Sequence, residues 1–170
     1  MANTYSLIST STPVGSGGAT DITFSSIPAN YTDLIIKASI RGTGIGSPNM
    51  LLDINGVSTG RTSQWLQGNG AGTVSCYSFT TGDIATANTT SQTASTFCNL
   101  EIYFPNYSST NSKCFHVDNV QENNVTATAY MELMSGFWSG TSIISSLKLT
   151  IAGQNIGQYS TAYLYGISNA

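Results

Sequence analysis

The sequence predicts an all-β fold, an antiparallel β-sandwich of about 9–11 strands. Three observations carry this expectation. Apolar and polar residues alternate with a period of two in short runs, as in "DLIIKASIR" and "NLEIYF". Clusters rich in Gly, Ser, Thr and Asn break these runs at intervals of roughly 8–15 residues, too short for βαβ units. Ser, Thr and Asn fill about a third of the chain. Their side chains compete with a helix for its backbone, and Thr fits strands well.

Taken in order, Tyr5–Ser9 and Asp21–Ser25 read as short strands on either side of the loop "STPVGSGGAT". Next, Leu34, Ile36, Ala38 and Ile40 share one strand face, with Ile35, Lys37, Ser39 and Arg41 on the other. After the loop "GTGIGSPN", Met50, Leu52 and Ile54 share a face, and Asn55-Gly56 gives a hairpin signal. Short strands follow at Ser63–Leu66 and Thr73–Phe79, around the loop "GNGAGT". The polar stretch "TTGDIATANTTSQTA" reads as a long loop. Cys98, Leu100, Ile102 and Phe104 line up on one face and stop at Pro105. Phe115 and Val117 oppose His116 and Asp118. Ala127–Met134 contains good helix formers in "AYMELM", but β-type residues surround it and a strand is expected. Leu147, Leu149 and Ile151 oppose Lys148 and Thr150. Finally Tyr163, Tyr165 and Ile167 alternate against Leu164. The whole forms one expected domain, residues 1–170, with residues 1–19 as an N-terminal arm or edge strand.

Charge is scarce. Charged residues make up 8% of the chain, against about 25% in an average soluble domain, and the formal net charge is −3. The basic residues Lys37, Arg41, Arg61, Lys113 and Lys148 are scattered, so no stripe is expected to neutralise phosphates and no nucleic acid is expected as a partner. No apolar run approaches the roughly 18–20 residues that span a bilayer, and no membrane partner is expected. "MANTYSLIST" lacks the basic and apolar regions of a secretory signal, which places maturation in a cytoplasm. The three cysteines, Cys76, Cys98 and Cys114, show no CxxC spacing and read as reduced thiols acting as small hydrophobes.

No arrangement compels chemistry, and the chain reads as no enzyme, with no cofactor and no metal. His116 is the single histidine, and Asp118 shares its strand face. A triad needs a carboxylate on one imidazole nitrogen and a serine on the other, and no G-x-S-x-G elbow exposes a nucleophile. Asp53, Glu101, Asp118, Glu122 and Glu132 are the candidates for a glycosidase pair, a weak signal without a defined spacing. "DING" lacks the later acids of a calcium loop, and "GNGAG" lacks the Lys-Ser/Thr of a phosphate loop. The aromatics Trp65, Trp138, Phe137, Tyr107 and Tyr77 suit a sandwich core or a subunit contact, and less well a platform for sugar rings.

The segments "FSSIPANYTDLIIKASIR", "GNG", "LEIYFPNY", "FHVDNVQENN", "GFWS", "ISSLKLTIAG" and "AYLYGI" follow one another in this order. That order resembles a family of small tailed-bacteriophage virion proteins, over roughly Thr20 to Ile167. The resemblance implies a jelly-roll type of sandwich, a homotrimer and no catalytic residues. It implies a capsid decoration (cement) protein that contacts the major capsid protein or another virion protein, made in the host cytoplasm and found in the virion. The alternative is a tail-fibre or appendage domain that binds host-surface glycans. Trp138, Tyr163 and Tyr165 are the candidate subunit contacts.

Overall fold

The computed structural model describes residues 4–124 and 129–168, and every regular element among them is a strand. The twelve strands are β1 Tyr5–Thr10, β2 Ile22–Phe24, β3 Asp33–Ile40, β4 Asn49–Ile54, β5 Arg61–Gly68 and β6 Val74–Phe79. They continue as β7 Asp83–Thr86, β8 Cys98–Phe104, β9 Lys113–Gln121, β10 Met131–Trp138, β11 Leu147–Ile151 and β12 Thr161–Ile167. They form two antiparallel sheets packed face to face. The large sheet runs β1-β12-β3-β8-β9-β10-β5-β6, and the small sheet runs β2-β11-β4-β7.

Period-two patterning drives this arrangement, because each sheet must bury one face. Leu34, Ile36, Leu100 and Ile102 from the large sheet meet Leu52, Ile54, Leu147 and Leu149 from the small one, each at most 3% exposed. Glycines make room where rings cross the inner face. A side chain at Gly136 would strike the Phe115 ring on the neighbouring strand, and one at Gly166 would strike Tyr31.

Several expectations change. The long loop at residues 80–94 contains β7, whose Ile84, Ala85 and Thr86 are buried against the large sheet. Only one large apolar residue marks this strand, so its sequence reads as loop. The region expected as Ala127–Met134 begins its strand later, at Met131, and extends to Trp138; residues 125–128 lie outside the described residues. Asn55 and Gly56 do form a tight turn, with φ of 53° and 75° and a bridge between Ile54 and Val57. It is not the turn of a β4–β5 hairpin, since these strands belong to opposite sheets. On β12 the inward residues are Ala162 and Leu164, while Tyr163 and Tyr165 face outward.

Part of the interior is polar. Glu132 is 3% exposed and accepts hydrogen bonds from the Thr86 backbone N–H, the Thr86 hydroxyl, Asn119 Nδ2 and Gln67 Nε2. Three of these contacts come from N–H groups, which can only donate to the carboxyl oxygens. Nearby, Gln121 Nε2 donates to Ala87 O and Asn88 Nδ2 to Glu122 O. These bonds fasten β7 and the chain after it to β9 and β10.

Candidate functional site

The outward face of the large sheet follows from strand register. Across its middle run Tyr163, Lys37, Glu101, Asp118, Leu133, Leu66 and Cys76, one residue per strand from β12 to β6. Glu101 and Asp118 are direct cross-strand partners. Lys37 Nζ lies 2.7 Å from Glu101 Oε2, and this bond raises the lysine above its ordinary pKa. Two open grooves, of about 470 and 460 Å³, lie on this face and share Glu101 and Asp118.

Towards β6 the same face becomes apolar. Val120, Met131, Leu133, Leu66 and Val74 are between 43% and 67% exposed. Met131 pairs with Val120, Leu133 with Leu66, and Gly68 with Val74, so these side chains lie in adjoining rows. An apolar patch on the solvent side of a sheet is a common mark of a contact surface.

The chain's cations are spent on its own structure. Lys148 pairs with Asp53 at 2.7 Å, which raises the lysine pKa. Arg61 donates to Leu52 O and sits 4.0 Å from Asp53; its burial lowers its pKa. Lys113 is 1% exposed and donates to the Ser109 and Asn111 carbonyls, again with a pKa lowered by burial. Arg41 donates to the Thr93 and Thr96 carbonyls, at 2.9 and 2.6 Å, and holds the loop after β7. Each cation is thus engaged with a carboxylate or a carbonyl.

The expected contact residues separate. Trp138 is 5% exposed and its ring fills the space over Gly140, so within this chain it packs the core and offers little surface to a partner. Tyr163 is exposed and Tyr165 half-buried, both on the outward face of β12. Phe137 and Tyr77 are exposed, while Trp65 and Tyr107 are buried. His116 stacks near Tyr103, with ring centroids 5.1 Å apart. Tyr103 donates to Asp33 at 2.6 Å, and that bond, with burial, pushes its phenol up to about 12.

Of the candidate carboxylates, Glu101 and Asp118 come together on the outer face, Glu132 points inward, and Asp53 is held by its cations. Glu122 is exposed and directly follows the end of β9. No group of three or more His, Cys, Asp or Glu is placed to hold a metal among the described residues. Cys76 and Cys114 are exposed and Cys98 is buried, all three as free thiols; burial pushes Cys98 up to about 12. Among the described residues no helix is long and apolar enough to cross a membrane.

A third concavity, of about 210 Å³, opens where β5 and β6 extend past the small sheet. Trp65, Tyr77, Phe79 and Tyr130 line it together with Asn49 and Gln67. Sequence reading named Trp65 and Tyr77 but gave no reason to join them to Asn49, which lies on the opposite sheet. Comparison with known protein families, characterised proteins and solved structures finds no match to the chain.

Proposed function

We propose that this chain is a bacteriophage virion structural protein, a decoration or cement protein that binds the outer capsid through protein–protein contacts. The observation that carries the reading is the apolar patch of Val120, Met131, Leu133, Leu66 and Val74 on the solvent side of the large sheet. Burying such residues against a partner stabilises by about 25 cal/mol per Å² of apolar surface, before the costs of association. The paired cations leave few ions at the surface, so the contact would depend little on salt. The motif order from "FSSIPANY" to "AYLYGI" supports the same assignment.

The proposal assigns no catalytic residue and takes the partner to be the major capsid protein or another virion protein. A homotrimer would match the threefold sites of a capsid lattice. We read the strand order as a jelly roll carrying one inserted hairpin. Without β9 and β10, the large sheet contains β3-β8-β5-β6 against β2-β11-β4-β7, with the sheet-to-sheet crossings of two Greek keys.

A second reading, a tail appendage that binds host-surface glycans, is favoured by the aromatic-walled concavity at Trp65. Particles lacking the protein separate the two. The cement role expects particles that assemble but rupture at lower temperature, with resistance restored by added protein and host adsorption unchanged. Normal rupture together with lost adsorption would replace it by the appendage role.

A further inference from the structure

The large sheet has eight strands and the small sheet four. The inward face of β5 and β6 therefore runs beyond its cover. Exposed Tyr77 and partly buried Phe79 line this strip beside the buried ring of Trp65, with Trp65 and Phe79 centroids 5.2 Å apart and Tyr77 and Phe79 6.2 Å apart. They make an apolar wall one or two rings wide. We propose that the concavity against this wall is a binding site for one neutral pyranose ring.

Polar chemistry around the wall carries the assignment. Trp65 is 3% exposed, yet its indole Nε1–H has no partner among the described residues. A buried donor left this way costs stability unless a ligand or water accepts from it. Across the opening, Asn49 Nδ2 donates to Asp83 Oδ1 and Gln67 Nε2 donates to Glu132 Oε1, both at 2.7 Å. Those carboxylates fix which way each amide points. The side-chain amide oxygens, Asn49 Oδ1 and Gln67 Oε1, accept no bond among the described residues and remain for a ligand. Two oriented acceptors beside an aromatic wall suit a sugar, and the unpartnered Trp65 indole belongs to the same wall. Its hydroxyls both donate and accept, and its C–H face packs on rings.

Charge and size narrow the class. No cation lines the concavity, and the carboxylates of Asp83 and Glu132 stand directly behind the amides. An anionic sugar or a phosphate would meet repulsion there. A volume of about 210 Å³ falls below the range of roughly 300–1,000 Å³ usual for larger ligands, which points to a single ring. The inference rests on the second, glycan-binding reading of this concavity and does not depend on the capsid role.

The test titrates neutral methyl pyranosides into the intact protein and follows the two indole N–H signals by NMR, with Trp65→Phe assigning the Trp65 peak. The expected result is a saturable shift of that peak at millimolar sugar, with the Trp138 peak unmoved, since Trp138 does not line the site. Tyr77→Ala changes an exposed edge-strand residue and should leave the fold intact while weakening binding about tenfold. Methyl glucuronide should bind about tenfold more weakly than its neutral counterpart. Matching trisaccharides distinguish the source: tighter binding names a glycan end, and weaker binding names a free sugar. No shift with any pyranoside, or an equal shift in Tyr77→Ala, would overturn the site. Equal binding of the uronide would overturn its neutral specificity. None of these outcomes bears on capsid strength, so failure here leaves the cement proposal standing.

Discussion

At β3 and β8 the large sheet has an apolar inside, with Leu34, Ile36, Leu100 and Ile102, and a polar outside, with Lys37, Ser39, Asn99 and Glu101. Where β9, β10 and β5 meet beneath β7, the polarity reverses. Asn119, Gln121, Glu132 and Gln67 turn inward, and Val120, Met131, Leu133 and Leu66 turn outward. The two regions share one period and one sheet. They differ in what covers them: the apolar strands β2, β11 and β4 over the first, and the short polar β7 over the second. A polar interior is stable only when its groups are satisfied, and the Glu132 cluster supplies four donors to one carboxylate.

The largest tests of this contrast remove a buried group from each region. Ile36→Ala and Ile102→Ala should each cost about 2–5 kcal/mol in urea unfolding. Glu132→Ala should cost a similar amount, about 3–5 kcal/mol, because it strands buried donors. A loss below about 1 kcal/mol for Glu132→Ala would show that the polar region does not bind its sheets as described. Gly136→Ala forces the Phe115 ring aside and should cost about 1–3 kcal/mol.

The outward face should respond differently. Leu133→Ser should change stability by only about 0.5 kcal/mol, yet reduce binding to capsids in a pelleting assay. Unchanged binding would remove the apolar patch from the contact. The smallest effects are local titrations. With its pKa near 12, the Tyr103 phenol should ionise later than ordinary tyrosines in an absorbance titration. A phenol whose folded pKa is raised adds stability that is complete below about pH 10 and is lost as pH rises through the folded value. Cys76 and Cys114 should react with a thiol reagent in the native protein, and Cys98 only after unfolding.

The same contrast explains what sequence could reveal. Alternation located β3, β4, β8, β9 and β11 and named their inward residues, because apolar letters marked the buried face. In β10 the pattern "MELM" places Met on both faces, so alternation marks two sides without telling which one is inside. β7 carries Thr and Ala where other strands carry Leu, and hid within a polar stretch. The concavity at Trp65 joins β4, β5 and β6 across two sheets, a neighbourhood set by unequal sheet width. No spacing along one strand encodes that width.

The internal use of every cation has one more consequence. Trypsin cuts after Lys and Arg and needs a segment that can bend into its cleft. Lys37 and Lys148 lie within strands flanked on both sides, Arg61 and Lys113 begin strands, and Arg41 follows β3 while clasping another loop. The long polar loops, where a protease would otherwise enter, contain no other cleavage site. Tryptic digestion of the folded chain should therefore proceed through unfolding rather than loop nicking, and its rate should report the population of opened molecules.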